Sequence, residues 1–512
     1  MIDPVELQVL TGALRATCEE MGAVLIRSAH SANIKERRDA STALFDPLGQ
    51  MVMQAEHIPV HLGAMPAAVE AILDEEHAPD RAWVLNDPYR GGTHLPDITV
   101  IAPVFASAGG SGSKLIGFAA NRAHHADVGG PTPGSMPADS RRLAEEGVVI
   151  EPRILDERAI AELSGLMRQP EQRRADLRAQ LAAGRTGARR LQELHDRVGR
   201  ERLREAFTEV LDYAERRTRA CLRQLDDGRR SARDVLEARE GELEIVLEAT
   251  VAGDRLRLDF TGTAPQHDGN LNCPLAVTRS ACYFAIRVLT DPEIPPSAGA
   301  YRPIEVIAPE GCLLNAHSST GAADDAPAVV GGNVETSSRV ADVVLGAFGR
   351  ALGQGTMNNV TLGSENFVYY ETIAGGQGAC PDADGPSAVH VAMSNTLNTP
   401  VEALELEFPL RVVEYALRRG SGGGGAHHGG DGVIRELEAL APLSYSLITE
   451  RRRHAPAGAR GGLPGTPGRN LLDGEDLAAK AIGRLKPGQR LRIETPGGGG
   501  DGAPRQGDRV HR

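Results

Sequence analysis

Residues 41–62, STALFDPLGQMVMQAEHIPVHL, decide the fold class of this chain. The segment predicts strand, turn, strand, because PLGQ separates two apolar runs. Short apolar runs bounded by turn residues return in AWVLNDPY (82–89), in ITVIAPVF (98–105) and at the start of LIGFAANRAHHADVGG (115–130). Because such runs are shorter than most helices, they predict a sheet in the first part of the chain.

Helices are predicted around these strands. Residues 5–30 place apolar side chains at helical spacing, with Asp3 as the N-cap and Pro4 at the first helical position. A second, short helix is expected over residues 66–76. Together the strands and helices predict an α/β domain over residues 1–150.

The character of the chain changes after this domain. Residues 156–240 are rich in Arg, Glu, Leu and Ala, and both their propensity and their period are helical. Pro170 and Gly184 are expected to separate individual helices. We therefore predict a helical segment over residues 151–240, whose mixed arginines and acids are typical of a solvated helix face.

Apolar and polar residues alternate with a period of two in the last part of the chain. LEIVLEATVAGDRLRLDFTGT predicts a β-hairpin around Gly253 and Asp254. Glycine-rich loops interrupt the strands that follow, as GSGGGG at 420, GGDG at 429 and TPGGGGDG at 495. The predicted fold is α+β and multidomain, with mixed sheets, a helical insert, glycine-rich loops and a β-rich C-terminal domain over 241–512.

Composition argues against several classes of partner. A net charge of −13 disfavours binding to nucleic acid or to an anionic membrane surface. No stretch reaches the roughly 18 apolar residues that a membrane span needs. The start, MIDPVELQVL, lacks the basic and apolar regions of a signal peptide, so we expect a cytoplasmic protein. Six cysteines without a CxxC pair predict reduced, buried thiols rather than a disulfide scaffold.

The densest polar cluster joins NDPYRGGTHLPDITV (86–100) to NRAHHADVGG (121–130). Its candidate metal ligands are His94, Asp97, His124, Asp127 and the adjacent His125. Pro96 makes a helix unlikely between His94 and Asp97, but a tight loop can turn both side chains inward, and a neighbouring strand end can deliver His124. Two imidazoles and a carboxylate suit a catalytic divalent ion, which polarises a carbonyl or lowers the pKa of water. In the alternative interpretation these histidines cap turns and bond to the backbone.

Glu56, His57 and His61 form a second polar cluster, in which Pro59 rules out a regular helix. They can orient ligand residues from behind, or they can be purely structural, which is the interpretation we favour.

Other catalytic patterns are weak. The glycine loops match neither GxxxxGK[ST] nor a GxGxxG that links a strand to a helix, so turns and close backbone packing explain them better than a nucleotide site. The sequence has no GxSxG elbow. Cys273 alone makes no nucleophilic mechanism.

The order of motifs resembles the hydantoinase B/5-oxoprolinase family. The similar stretches begin with SANIKERRDASTALFDPLGQMVMQAEHIPVHLGAMP and continue through the polar cluster to GGNVETSSRVADVVLGAF, YYETIAGGQGA, MSNTLNTPVEALE, GGDGVIRE and TPGGGGDG. They cover nearly the whole chain. Two departures are a longer stretch after Asn315 and a loop, GSGGGGAHHGGDG, without the arginine that relatives more often carry. Relatives commonly continue beyond TPGGGGDG, so a C-terminal truncation is one expectation.

This resemblance implies a division of labour within a heteromer. An A-type partner subunit, similar in fold to sugar kinases and actin, would bind ATP and phosphorylate the substrate's amide or carbonyl oxygen. This chain would then complete hydrolytic ring opening of a hydantoin, an N-methylhydantoin or 5-oxoproline. Related acetone and acetophenone carboxylases use the same pair of subunits to carboxylate a ketone.

The resemblance also implies a metal in this chain. Carboxylase relatives hold one with a His-x-x-Asp pair and a later histidine, which match His94, Asp97 and His124, with His125 as the competing choice. Zinc, manganese and iron all suit such ligands. Motif density adds the remaining site predictions. Catalytic roles are predicted for Asp127, His125, Asn86 and Asp87, and substrate contacts for Tyr89, Glu371 and Asn395.

Three rival functions remain open at this point. A ketone carboxylase subunit would require bicarbonate. A non-catalytic scaffold for the A subunit would bind no metal and tolerate His94→Ala. A self-sufficient metallohydrolase would need neither ATP nor a partner.

Overall fold

The computed structural model describes residues 2–56, 58–106 and 114–504. The helices are α1 (Pro4–Ser28), α2 (Ala32–Lys35), α3 (Ala64–Glu70), α4 (Glu157–Gly165), α5 (Pro170–Val198), α6 (Arg200–Leu222), α7 (Leu275–Leu289), α8 (Ala298–Tyr301), α9 (Ser337–Ala347) and α10 (Val401–Glu407). The first strands are β1 (Ala40–Phe45), β2 (Met51–Glu56), β3 (Ala82–Leu85), β4 (Asp97–Phe105), β5 (Leu115–His124), β6 (Arg153–Leu155), β7 (Gly228–Glu237), β8 (Glu242–Ala252), β9 (Arg255–Asp259) and β10 (Ile304–Ile307). The later strands are β11 (Asn359–Gly363), β12 (Val368–Glu371), β13 (Leu410–Arg418), β14 (Gly432–Ala439), β15 (Leu443–Ile448), β16 (Arg469–Leu472), β17 (Glu475–Leu477), β18 (Lys480–Leu485) and β19 (Arg490–Glu494).

The first sheet is antiparallel, with strand order β2-β1-β5-β4-β3-β6. It confirms the strands predicted from residues 41–62 and from the three runs that follow. Its central strands are buried on both faces, because each face packs on a separate core. In β1, Leu44 joins the core formed with α1, α5 and α6, whereas Ala43 and Phe45 join the core that contains α7.

Helix α1 confirms the predicted amphipathic helix and its cap. The carboxylate of Asp3 accepts a hydrogen bond of 2.9 Å from the Val5 amide, which satisfies one of the free N–H groups of the first turn. Buried residues recur every three or four positions along the helix, and this stripe faces the sheet. They are Leu10, Leu14, Cys18, Met21 and Leu25.

The predicted helical segment is shorter than expected. The helices end at Leu222, and residues 228–237 form β7, which pairs with β8 over its full length. Cross-strand pairing here outweighs the helical propensity of the charged residues. Pro170 does begin a helix, but Gly184 does not end one, since α5 runs through it with Gly184 packed against Ala102. The three domain boundaries stay a prediction.

The predicted hairpin around Gly253 and Asp254 is confirmed, with Ala252 opposite Arg255 across a two-residue turn. It belongs to a sheet of order β10-β9-β8-β7. Two further sheets, β12-β11-β15-β18 and β13-β14-β19-β16-β17, share a core in the last part of the chain. The fold is therefore multidomain α+β with mixed sheets, as predicted.

The glycine-rich loops pack backbone against backbone. The amide of Gly498 donates to the carbonyl of Gly430 at 2.9 Å, and a Cβ on Gly498 would lie 2.0 Å from the carbonyl oxygen of Gln377. Any larger residue would separate the loops, so close packing explains the glycines.

Helix α9 is held by buried charges. The Arg339 guanidinium lies 3.2 Å from Asp234 on β7 and 3.1 Å from Glu450, which follows β15. Glu450 also pairs with Lys480 on β18. Except for the partly exposed Asp234, these charges are buried, so each depends on its partners for compensation.

The described residues bear on two predictions, one about the state of the cysteines and one about membrane-spanning helices. All six cysteines are free, and four are buried as predicted, but Cys221 is only partly buried and Cys380 is exposed. Burial raises the pKa of the Cys273 thiol to about 12, as for an unreactive thiol. No helix within residues 2–56, 58–106 and 114–504 is long and apolar enough to cross a membrane.

Candidate metal centre

His94, Asp97 and His124 meet at one end of the first sheet, where β4 begins and β5 ends. His94 Nε2 and His124 Nδ1 each lie 3.1 Å from Asp97 Oδ1, and the two nitrogens lie 3.2 Å apart. All three side chains are buried.

This triangle fits a divalent cation. Three ligand atoms about 2.1 Å from a tetrahedral or octahedral ion lie about 3.0–3.4 Å from one another. Without an ion, each imidazole nitrogen would need a proton to donate to Asp97, and two N–H groups would then face each other across 3.2 Å. His94 Nδ1 and His124 Nε2 have no hydrogen-bond partner among the described residues, so both remain available to carry the ring proton when the opposite nitrogens bind metal.

The charge states of these groups also suit a cation. Burial lowers the pKa of His124, which favours the neutral imidazole that binds metal. Burial alone would raise the pKa of Asp97, but the charge of His94 and hydrogen bonds from His124 and His61 hold it well below its usual range. The site thus combines an ionised carboxylate with a neutral ligand histidine.

Strand pairing brings the three ligands together. Asp97 begins β4 and His124 ends β5, and the antiparallel register sets them directly opposite each other. His94 lies one turn earlier, where the Asp97 amide donates to the His94 carbonyl at 3.0 Å. The hydroxyl of Thr93 donates to Asp97 Oδ2 at 2.7 Å and fixes the carboxylate.

The loop that carries His94 is braced by Asn86 and Arg122. The Asn86 amide donates to the carbonyls of Leu95 and Val148, and its oxygen accepts from the Ile150 amide at 2.6 Å. Arg122 Nη2 donates to the Gly91 carbonyl at 2.8 Å. These bonds use both N–H donors and one acceptor site of the Asn86 side chain, which points to a positioning role.

Gly92 is required for this loop. A Cβ on Gly92 would lie 2.2 Å from the Asn86 carbonyl oxygen, so the turn before His94 closes only with glycine.

His61 stands behind the carboxylate of the site. Its Nε2 lies 3.4 Å from Asp97 Oδ2, and its Nδ1 lies 2.8 Å from the Ser41 hydroxyl. Of the two roles considered for this cluster, the geometry supports an orienting one for His61. His57 lies outside the described residues.

An aromatic stack fixes the orientation of His124. The Tyr370 ring is stacked on the imidazole with centroids 4.7 Å apart, and the Arg37 guanidinium lies over the Tyr370 ring, 4.7 Å from its centroid. Arg37 is held in turn by the Tyr370 carbonyl and the Thr372 hydroxyl.

Two adjoining cavities meet at the site. The cavity at the ligands has a volume of about 20 Å³, enough for one water-sized particle. The neighbouring cavity has about 500 Å³, within the range of small-molecule sites. Ser394 and Asn395 line both. The larger cavity is mostly apolar, through Leu62, Phe284, Val288, Leu345 and Val391, with Gln377 and His390 among its polar residues.

The structure brings Asn395 to the ligand cavity but places the other predicted residues elsewhere. His125 points to the opposite side of the strand end, where its Nε2 lies 2.8 Å from Gln180 Oε1. Both carboxylate oxygens of Asp127 are occupied, by the amides of Gly129 and Gly134 and by Arg168.

Asp87, Tyr89 and Glu371 are also engaged away from the ligands. Asp87 caps a short 3-10 turn through the Tyr89 amide, and the Tyr89 hydroxyl donates to the Pro327 carbonyl at 2.8 Å. Glu371 lies 3.3 Å from the buried Arg435. Because side chains alternate along β12, Glu371 faces away from the site that Tyr370 faces.

Several lining residues escaped the sequence prediction. They are Asp39, Asn333, Tyr370, Thr372, Ser394 and Thr396. Asp39 and Tyr370 lie inside the family-like stretches ERRDAST and YYETIAGGQGA, which is the signal that could have identified them.

Glu335 braces the turn that carries Asn333. Ionisation of Glu335 should make the stability of the fold depend on pH. Burial, together with the charge of Glu450, raises the pKa of Glu335 to about 8 from 4.5. The folded protein therefore holds this proton more tightly than the unfolded chain does. The stabilisation is complete below pH 4.5 and is lost as the pH rises through about 8.

We accordingly expect the thermal midpoint of the parent to fall more steeply between about pH 5 and about pH 8 than that of Glu335→Gln. Differential scanning fluorimetry measures both slopes. The exposed Glu201→Gln variant is the matched control and should follow the parent. Equal slopes for the parent and Glu335→Gln would contradict the assignment.

Comparison with known proteins identifies a family and a relative that agree with each other. The family model described as hydantoinase B/oxoprolinase matches residues 3–504. 5-Oxoprolinase 1 of Arabidopsis thaliana is 39% identical over 98% of this chain, and the chain spans 42% of that relative's length.

Two solved structures share the fold. The ATP-dependent caprolactamase from Pseudomonas jessenii superposes with a TM-score of 0.90 and 29% identity, over 98% of this chain and 92% of that one. A nucleotide-free acetone carboxylase gives a TM-score of 0.86 with 18% identity, over 98% of this chain and 76% of that one, and this shows likeness of fold alone.

Proposed function

We propose, from the premise that this chain belongs to the hydantoinase B/oxoprolinase family, that it is the B-type subunit of an ATP-dependent cyclic amidase. The observation that carries the proposal is the buried triangle of His94, Asp97 and His124 beside a cavity large enough for a small lactam. The similarity to an ATP-dependent caprolactamase over almost the full length of both chains supports the same class of reaction.

The reaction we propose is hydrolytic ring opening of a hydantoin, an N-methylhydantoin, 5-oxoproline or a related lactam. A divalent ion, of zinc, manganese or iron, would be held by the three ligands and would polarise the reacting carbonyl. Asn395 binds the substrate amide where the cavities meet, and Asp39, which lines the ligand cavity, orients the attacking water. Asn86 acts indirectly, by bracing the loop that carries His94, and Asp127 and His125 by fixing the segment that follows His124.

ATP use is assigned to a partner. This chain has no phosphate-binding sequence motif, so an A-type subunit would bind ATP and activate the substrate oxygen, and the working enzyme would be a hetero-oligomer.

The test is reconstitution with an A-type subunit. The complex is incubated with ATP and with 5-oxoproline, hydantoin, N-methylhydantoin or caprolactam, and ring-opened product and ADP are quantified. We expect a product that needs both subunits and ATP. Product formed only from a ketone and bicarbonate would establish a carboxylase instead. Turnover without ATP or partner would indicate a self-sufficient hydrolase, and full activity of His94→Ala would indicate a scaffold.

A further inference from the structure

The wall between the two cavities contains a serine–histidine pair outside the metal centre. Ser394 lines both cavities, and His390 lines the larger one. The hydroxyl of Ser394 and Nδ1 of His390 form a hydrogen bond. The Ser394 hydroxyl is thereby held at the boundary between the two cavities, and the His390 imidazole beside it can act as a base.

The second nitrogen of His390 is unused within the protein. His390 Nε2 is buried and has no hydrogen-bond partner among the described residues, an arrangement that normally costs free energy. Burial, with a contribution from the charge of Arg37, lowers the pKa of His390 to about 4. The ring is therefore neutral near pH 7, with one nitrogen as donor and the other as acceptor.

The loop that carries the pair is strained. Ala388 and Ala392 have φ angles of 55° and 51°, in the left-handed region that alanine rarely adopts. The turn closes through the Ser394 amide, which donates to the Val391 carbonyl at 3.2 Å. Strain of this kind persists where the fold must hold a side chain in a set place.

Cavity size fixes where a substrate ring reacts. A volume of about 20 Å³ at the ligands is too small for a lactam, so the ring must occupy the cavity of about 500 Å³. Only its reacting amide can then reach the metal ligands, past Ser394 and Asn395. The ring nitrogen is bonded to the reacting carbon, so it also comes close to the wall that Ser394 and Asn395 form.

We propose that Ser394 and His390 form a proton relay to the leaving ring nitrogen, a role that rests on the amidase function proposed above. Water forms the new C–O bond and the ring C–N bond breaks. As the bond breaks, the Ser394 hydroxyl gives its proton to the nitrogen, which cannot leave as an anion. Ser394 recovers a proton from His390 Nδ1, and His390 Nε2 takes one from water in the larger cavity. The hydroxide left in the larger cavity takes up the proton that the adding water releases, and exchange with water returns the His390 ring to its starting tautomer. Because the partner has phosphorylated the reacting oxygen, C–N cleavage leaves an amine and an acyl phosphate, and a second water then releases phosphate and the carboxylate. Overall, ATP, the lactam and two waters give ADP, phosphate and the ring-opened amino acid.

The test measures kcat and KM of the reconstituted complex with the lactam that the wild type opens fastest. Ser394→Ala and His390→Gln should each lower kcat by about 100-fold or more, the usual range for a lost general acid, with KM within about threefold of the parent. Because the two groups act in series, the double variant should be no slower than the slower single variant. Ser394→Thr keeps the hydroxyl and should recover most of the rate.

Controls separate this role from structural damage and from failure of the premise. Ser387 lies on the same segment outside the cavities and bonds to the Asp431 amide, so Ser387→Ala should keep parental kcat. Unchanged metal content and thermal midpoint in Ser394→Ala exclude disruption of the site. Parental kcat in Ser394→Ala, or additive losses in the double variant, would overturn the relay while leaving the amidase intact. A wild-type complex that opens no lactam would overturn the proposed function, and the relay with it.

Discussion

Replacing both His94 and Asp97 by alanine is expected to abolish metal binding, from near one equivalent per chain in the parent to less than about 0.1 equivalent. The parent offers two imidazoles and a carboxylate within 3.2 Å of one another, whereas the variant keeps only His124. One imidazole cannot hold a divalent ion through purification. Elemental analysis of chains purified without chelator measures the effect.

The matched control is His317→Ala. His317 is half-exposed, pairs with Glu310 at 2.8 Å, and does not line the ligand cavity. Its loss should leave metal content at the parental level. Metal that persists in the double variant would place the ion elsewhere, and a parent without metal would favour the scaffold function or a site completed by the partner.

Removing the charge of Arg339 should cause a large loss of stability. Arg339→Met keeps most of the side-chain volume but leaves Glu450 and Asp342 buried with less compensating charge. Breaking a buried ion pair on one side typically costs about 3–5 kcal/mol. We expect a loss of this size in the free energy of unfolding, measured by denaturation followed by circular dichroism.

Two further variants test whether the uncompensated buried charge causes the loss of stability in Arg339→Met. Arg204 forms an exposed pair with Glu201, and Arg204→Met should cost less than about 1 kcal/mol. The double variant Arg339→Met/Glu450→Gln should regain part of the lost stability, because it removes one uncompensated charge. A loss in Arg339→Met no larger than in Arg204→Met would show that the network contributes little.

Local pattern was a reliable guide to the secondary structure. Capping chemistry predicted the start of α1 at Pro4, and alternation predicted the hairpin at Gly253 and Asp254. The prediction was wrong for residues 228–237, which form a strand because β8 lies beside them. Family-like motifs along the chain predicted membership of the hydantoinase B/oxoprolinase family, which is confirmed.

The sequence by itself determined the candidate ligands, because a histidine and an aspartate in a tight turn precede one strand and a histidine ends the next. Only the tertiary structure decided which of the nearby candidate residues lie at the metal site together with these ligands. Adjacent residues on an extended chain point to opposite sides, so His124 reaches Asp97 while His125 meets Gln180, and Tyr370 stacks on His124 while Glu371 pairs with Arg435. Which side faces the cavity depends on what packs against each strand, and those partners lie up to hundreds of residues away in the chain.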